Sequence, residues 1–287
     1  MNINKVLVIG AGTMGSGIAW WFSSLGIQVH LQDESQEQLE KAKKYCEEQT
    51  YRWATKNKLD QRITQDLLQL VKFIKKSEWD HDYDLVIEAI IENLEIKKNL
   101  FKELDEVMDK KTVIASNTSS FPIALLSQDL SPERKVNFLG LHFFNPAPVM
   151  KLVEVISSKD SSQKLANDLY AWFEEKGKFP AHCKDSPGFI VNRVARNFYG
   201  EPLRIAAEDD EKKFKEIDQV LKEVGGFRMG PFELMDLIGI DVNYSVTCSV
   251  WNAYNQEPRF APHPLQEKLV NEKRLGRKSK RGFYQYE

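Results

Sequence analysis

Gly10-Ala11-Gly12-Thr13-Met14-Gly15 has the spacing of a turn that cradles a dinucleotide. Gly10 permits a tight turn, Gly12 lets the backbone approach a pyrophosphate, and Gly15 lets the following helix pack close to the preceding strand. The helix start would present unpaired N–H groups and the positive end of its dipole to phosphate. Asp33 lies 18 residues beyond Gly15, at the end of the next apolar run. Its carboxylate can accept from ribose hydroxyls and would repel a 2′-phosphate. Glu34 and Ser35 follow, with no arginine to pair with such a phosphate, so NAD is favoured over NADP. The rival readings are a purely structural glycine turn and Asp33 as a simple helix cap.

A second group lies further along. Ser116-Asn117-Thr118-Ser119-Ser120 follows an apolar run, where five small polar residues suit hydrogen bonding to a ligand better than packing. His142 follows the apolar run Val136–Leu141, and Glu154 sits between Val153 and Val155 in the next one. Two neighbouring strands could set Glu154 against His142, fixing the ring tautomer and stabilising its charged form as a general base requires. A lone histidine satisfied by its surroundings is the plain alternative. A third group, Lys44, Arg52 and Lys56, falls on one helical stripe interrupted by Glu48. It reads either as a partner for a phosphate-rich ligand or as a solvated face.

These residues must be held by elements, and the pattern supplies them. Strand-like runs at Lys5–Ile9, Ile27–Gln32, Asp84–Glu88, Thr112–Ser116, Val136–Leu141 and Lys151–Ile156 alternate with helical stretches at Thr13–Leu25, Ser35–Asn57, Gln61–Leu70 and Asn93–Met108. Such alternation predicts an α/β, Rossmann-type, doubly wound and mainly parallel sheet over residues 1–185. After Asp185 the strand signal fades. Helical periodicity at Phe189–Glu208, Phe214–Val224, Pro231–Ile238, Asn243–Tyr254 and Leu265–Glu272 predicts an all-helical domain over 186–287.

The chain has 287 residues, 42% hydrophobic and 29% charged, with a formal net charge of −2. This is an ordinary globular profile with no positive field to draw nucleic acid or anionic lipid. No apolar run approaches the roughly 18 residues of a membrane span. MNINKVLVIGAG enters a strand at once and leaves no room for a leader, which predicts a cytoplasmic protein. Cys46, Cys183 and Cys248 are scattered and odd in number. They suit buried or idle thiols in a reducing compartment, not a disulfide framework or a metal site.

The chain resembles the 3-hydroxyacyl-CoA dehydrogenase family, including the 3-hydroxybutyryl-CoA dehydrogenases, over essentially its whole length. The resemblance rests on GAGTMG, EAIIEN, SNTSS, LHFFNPAPVMKLVEV, DSPGFIVNR, GPFELMDLIGIDV and LGRKSKRGFYQY. It implies NAD-dependent, reversible oxidation of (S)-3-hydroxyacyl-CoA to 3-ketoacyl-CoA. In that reading His142 is the general base, Glu154 its partner, and Ser119 and Asn192 are polar groups at the reacting end. Glu92, Lys97, Asn145 and Lys278 match positions lining the cofactor site, and Lys56 matches one that contacts coenzyme A. Gln49 stands where the family carries a coenzyme-contacting hydroxyl, a departure in the coenzyme grip. Residues 186–287 match a helical substrate and dimerisation domain present once, which implies a stand-alone homodimer acting on acyl-CoA.

Two rivals stand beside this reading. One is an NAD-dependent dehydrogenase of a sugar acid such as gulonate, resembling certain lens crystallins. The other is a catalytically idle dinucleotide-binding or structural protein, against which the intact set Ser119, His142, Glu154 and Asn192 argues. The acyl group stays open, with short or dicarboxylic chains the nearest resemblance.

Overall fold

Short runs of Val, Ile, Leu and Phe buried on both faces make strands, and amphipathic stretches between them make the covering helices. The computed structural model describes residues 1–287, and they divide into two compact units, Met1–Ser186 and Pro187–Glu287. The first unit runs β1 (Lys5–Ile9), α1 (Thr13–Ser24), β2 (Gln28–Gln32), α2 (Gln36–Asn57), α3 (Gln61–Gln69), β3 (Val71–Ile74), β4 (Leu85–Glu88), α4 (Leu94–Val107) and β5 (Val113–Ser116). It continues with α5 (Ile123–Leu126), α6 (Pro132–Val136), β6 (Phe138–Phe143), β7 (Leu152–Ser157), α7 (Gln163–Glu175) and β8 (Phe179–Lys184).

All eight strands form one sheet in the order β3-β2-β1-β4-β5-β6-β7-β8. Every neighbouring pair is parallel except β6 with β7. This is the mainly parallel, doubly wound architecture that the alternation predicts. On one face, Trp21 and Phe22 of α1 interlock with Phe143, Trp172 and Phe173 through edge-on and stacked ring contacts.

The sequence places His142 after a strand, and the structure places it inside one. Ser131 caps a short helix by accepting from the Arg134 N–H at 3.3 Å, with Pro132 at its first position. That helix consumes Val136, which is solvent-exposed, so the strand begins only at Phe138. Five elements go beyond the expectation: β3, α5, α6, α7 and β8. β3 has only four residues. β8 carries Pro180, which lacks the N–H for a central ladder and is tolerated here because β8 is an edge strand.

The second unit contains α8 (Val191–Ala206), α9 (Glu211–Glu223), α10 (Pro231–Ile238), α11 (Ile240–Ala253) and α12 (Pro264–Asn271). Tyr199, Leu203, Phe214, Phe232, Met235, Leu269 and Phe283 form its core. Two buried aspartates fasten it. Asp218 accepts from the Phe232 and Glu233 N–H groups at the start of α10, and Asp236 accepts from the Phe283 and Tyr284 N–H groups of the final segment. On the outside, Val194 and Ile205 of α8, Val220 of α9 and Val224 just beyond it are exposed. Ile205 and Val220 line an apolar cavity of about 470 Å³ together with Phe198, Pro202 and Leu221. No helix is long and apolar enough to cross a membrane.

Candidate active site

The turn after β1 is built as its spacing predicts, and the positions of absent Cβ atoms show why. Gly10 has φ 104°, and a Cβ there would lie 2.5 Å from the Ala89 carbonyl oxygen. At Gly15 a Cβ would lie 1.7 Å from the Gly10 carbonyl oxygen. A Cβ at Gly12 would meet nothing within 4 Å, so there the backbone faces open space. That space belongs to a cavity of about 830 Å³ whose wall includes Gly10, Gly12, Thr13, Met14, Asp33 and Glu34. Asp33 is half-buried and holds the turn: one carboxylate oxygen accepts from the Ala11 N–H at 2.7 Å, the other from the Ser35 N–H at 2.8 Å. The cap of α2 is Ser35, which accepts from the Gln38 N–H, so Asp33 is not itself that cap.

At the ends of β4 and β5 lies a buried ionic cluster. Glu88 is 0% exposed and is paired with Lys97, 1% exposed. Ser116 Oγ donates to Glu88 at 2.6 Å and the Ile90 N–H donates to it at 2.8 Å. Lys97 also meets Glu92 at 3.1 Å. Glu92 in turn accepts from Thr118 Oγ1 at 2.5 Å, Ser120 Oγ at 2.8 Å and the Ser119 N–H at 3.2 Å. Burial pushes the Glu88 carboxyl above its ordinary value against the pull of Lys97. For Glu92 burial also pushes upward, but the Lys97 charge and the Thr118 and Ser120 hydroxyls prevail and hold it below. The small polar run is thus folded around Glu92, and that connection leaves no trace in the linear sequence.

The antiparallel pairing of β6 and β7 sets His142 directly opposite Glu154. His142 Nδ1 donates to Glu154 Oε2 at 2.6 Å, with the glutamate wholly buried and the histidine 7% exposed. The Phe144 ring lies 4.4 Å from the imidazole, centre to centre. Two ties secure the chain after His142. The Phe143 N–H donates to Asn117 Oδ1 at 2.9 Å, linking this strand to the small polar run. Lys178, itself buried, donates to the Ala147 and Met150 carbonyls at 2.6 and 2.8 Å and lies 4.6 Å over the Trp21 ring. Burial alone pushes its ammonium down to about 8. Neither tie is visible in the motif spacing.

A carboxylate-oriented imidazole on the sheet that carries a dinucleotide turn is the equipment of a dehydrogenase. Comparison with known proteins decides which kind. Residues 5–186 match the model for the 3-hydroxyacyl-CoA dehydrogenase NAD binding domain, and residues 188–286 match the C-terminal domain of the same enzymes. The chain belongs to the 3-hydroxyacyl-CoA dehydrogenase family.

Among its relatives, a 3-hydroxyadipyl-CoA dehydrogenase of Escherichia coli is 44% identical over 287 residues, all of this chain and 60% of that protein. The chain therefore spans less than two thirds of that relative's length. A mitochondrial hydroxyacyl-coenzyme A dehydrogenase of Sus scrofa is 39% identical over 99% of this chain and 91% of its own. Among solved structures, the (S)-3-hydroxybutyryl-CoA dehydrogenase of Ralstonia eutropha superposes with a TM-score of 0.90 at 33% identity, with both chains fully covered.

NAD is the cofactor of the family's first domain, and the residues here fit it. The open backbone at Gly12 accommodates a pyrophosphate, and Asp33 stands on the wall of the same cavity. Other positions that the resemblance points to are not on that wall. Glu92 and Lys97 belong to the ionic cluster with Glu88, Asn145 is exposed in the loop after β6, and Lys278 of the second unit is exposed and paired with Asp241 at 2.6 Å. Asn192 lies in the first turn of α8, where its carbonyl accepts from Arg196 Nε at 3.0 Å. Lys44, Arg52 and Lys56 are exposed on α2, with Arg52 3.8 Å from Glu48, and Gln49 is half-buried.

Proposed function

We propose that this chain oxidises a 3-hydroxyacyl-CoA to the 3-ketoacyl-CoA, reversibly, with His142 as general base. The observation that carries the reading is the 2.6 Å contact between His142 and Glu154 across β6 and β7. Glu154 fixes the proton on Nδ1, so Nε2 is the nitrogen that takes the 3-hydroxyl proton in oxidation and returns it in reduction. NAD, when bound, accepts the hydride from substrate C3. Ser119, half-buried in the polar run, orients the substrate oxygen. Asn192 is included on the family resemblance, as a further polar group toward the substrate. On the same basis Glu92, Lys97, Asn145 and Lys278 serve the cofactor, and Lys56 serves coenzyme A.

The physiological acyl chain in this reading is short or dicarboxylic, as the names of the Escherichia coli and Ralstonia eutropha relatives suggest. The active form is a homodimer built through the second unit. The exposed apolar groove lined by Ile205 and Val220 supports this, because a monomer gains nothing from such a surface in water. The compartment is cytoplasmic in this reading, for which three scattered cysteines suit a reducing environment.

The test is direct. Purified protein with NADH and acetoacetyl-CoA should consume NADH, and gulonate with NAD should yield none. The reverse pattern would move the chain to the sugar-acid reading, and no turnover with either would support an idle dinucleotide-binding protein. A series from C4 to C16 that includes 3-hydroxyadipyl-CoA then fixes the acyl group.

A further inference from the structure

The cavity bordered by Asp33 contains a cation that the linear sequence around Asp33 lacks. Gln32 at the end of β2 is in register with Ile74 at the end of β3. The chain beyond each strand therefore emerges side by side, about 5 Å apart. Asp33 and Glu34 follow β2, and Lys75 and Lys76 follow β3. The second segment is a 3-10 turn, Lys76–Glu78, fixed by Glu78 accepting from the Lys75 N–H at 2.7 Å. Lys76 is the only basic residue on the cavity wall, which also carries Asp33, Glu34 and Glu103. It is the group that would neutralise a 2′-phosphate on a dinucleotide in this cavity.

Lys76 is already engaged. Its Nζ lies 2.5 Å from Glu103 Oε2, and 5.6 Å over the Trp79 ring, whose Nε1 has no hydrogen-bond partner. Glu103 comes from α4, which turns Ile96, Asn99, Leu100 and Glu103 to the cavity at helical spacing. We propose that Glu103 is a second determinant of cofactor choice, which excludes NADP by holding Lys76 away from the 2′-phosphate. Asp33 repels that phosphate, and Glu103 occupies the one cation that could compensate. The proposal rests on the NAD site described above.

The test is the ratio of NADPH to NADH dissociation constants, read by nicotinamide fluorescence, in Glu103→Gln, Lys76→Met and the double variant. Glu103→Gln should lower the ratio about threefold to fivefold, the scale of a partly exposed charge contact. The change should shrink in high salt. It should vanish in the double variant, because the released cation is gone. Lys76→Met alone should leave the ratio nearly where it was, since Lys76 is occupied in the parent protein. Glu103→Ala repeats the measurement with a smaller side chain should the glutamine variant fold poorly. An unchanged ratio in Glu103→Gln, or the same fall with Lys76 absent, overturns the proposal while leaving the NAD site intact. Failure of the parent protein to bind NADH at all would overturn both the site and the proposal.

Discussion

Glu88 at the end of β4 and Glu154 within β7 are both 0% exposed, both belong to one sheet, and both face a basic side chain. Their surroundings differ in one respect that separates architecture from chemistry. Glu88 meets an ammonium, a hydroxyl and a backbone N–H, and its Lys97 partner is shared with Glu92. Its donors are an ammonium, a hydroxyl and an amide, each fixed in place by the fold. Glu154 meets an imidazole, the one basic side chain that exchanges a proton near neutral pH without leaving its place. The same buried carboxylate braces a loop in one setting and holds an imidazole in the other.

The largest effect should come from His142→Ala. Removing the proposed base should cost about 10²–10⁴ in turnover, the usual scale of general acid–base catalysis. NADH affinity by fluorescence should persist, because Gly10–Gly15 and Asp33 are untouched. Near-normal turnover would place the base elsewhere and dissolve the contrast. Lys97→Met should act on stability, beside any loss of NADH affinity that its proposed place at the cofactor brings. It strands Glu88 in the interior, which costs about 3–5 kcal/mol when one partner of a buried pair is removed. Urea unfolding should show this, and adding Glu88→Gln should recover part of it. A full-strength midpoint in Lys97→Met would show that the cluster is not structural.

Glu154→Gln should lower turnover by less than His142→Ala, since the amide can still hold the ring while it loses the charge. Equal losses would mean that the pair acts as one unit. The smallest effect concerns Lys178, a buried cation that meets carbonyls and no carboxylate. Its folded value of about 8 lies below the ordinary 10.5. Between those values the unfolded chain holds more protons than the folded one, so stability should rise as pH climbs from 8 toward 10.5. Below 8 both states are charged and the slope disappears. Lys178→Met should flatten the rise, as read from urea midpoints across that window.

Legibility in the sequence follows how local each device is. The glycine turn and Asp33 could be read because their geometry is set within one strand–turn–helix unit. The two-unit organisation was visible in the change of periodicity near Asp185. His142 and Glu154 could be named from residue type, but their contact depends on an antiparallel register that neither strand encodes alone. Asp185 was visible only as part of a motif. In the structure its two oxygens accept from the Ile123 and Ala124 N–H groups at 2.7 Å each, from the far side of the chain. Lys76 and Glu103 were unreadable for the same reason, being joined only when α4 packs beside the β3 turn. Edge strands β3 and β8 escaped because four residues and a proline blur the alternation that marks a strand.

Asp33 has a consequence for how this protein can change over generations. Its carboxylate is anchored by the Ala11 and Ser35 N–H groups, so one side chain both shapes the turn and borders the cofactor cavity. Any replacement is judged twice, once for what it binds and once for whether the turn still closes. A lineage drifting toward the phosphorylated dinucleotide meets a sequence-dependent barrier there. Losing the carboxylate first loosens the turn before a new partner is gained, whereas a prior substitution that supplies another acceptor for the Ala11 N–H opens the path. The order of steps, and not only their sum, decides which descendants are reachable.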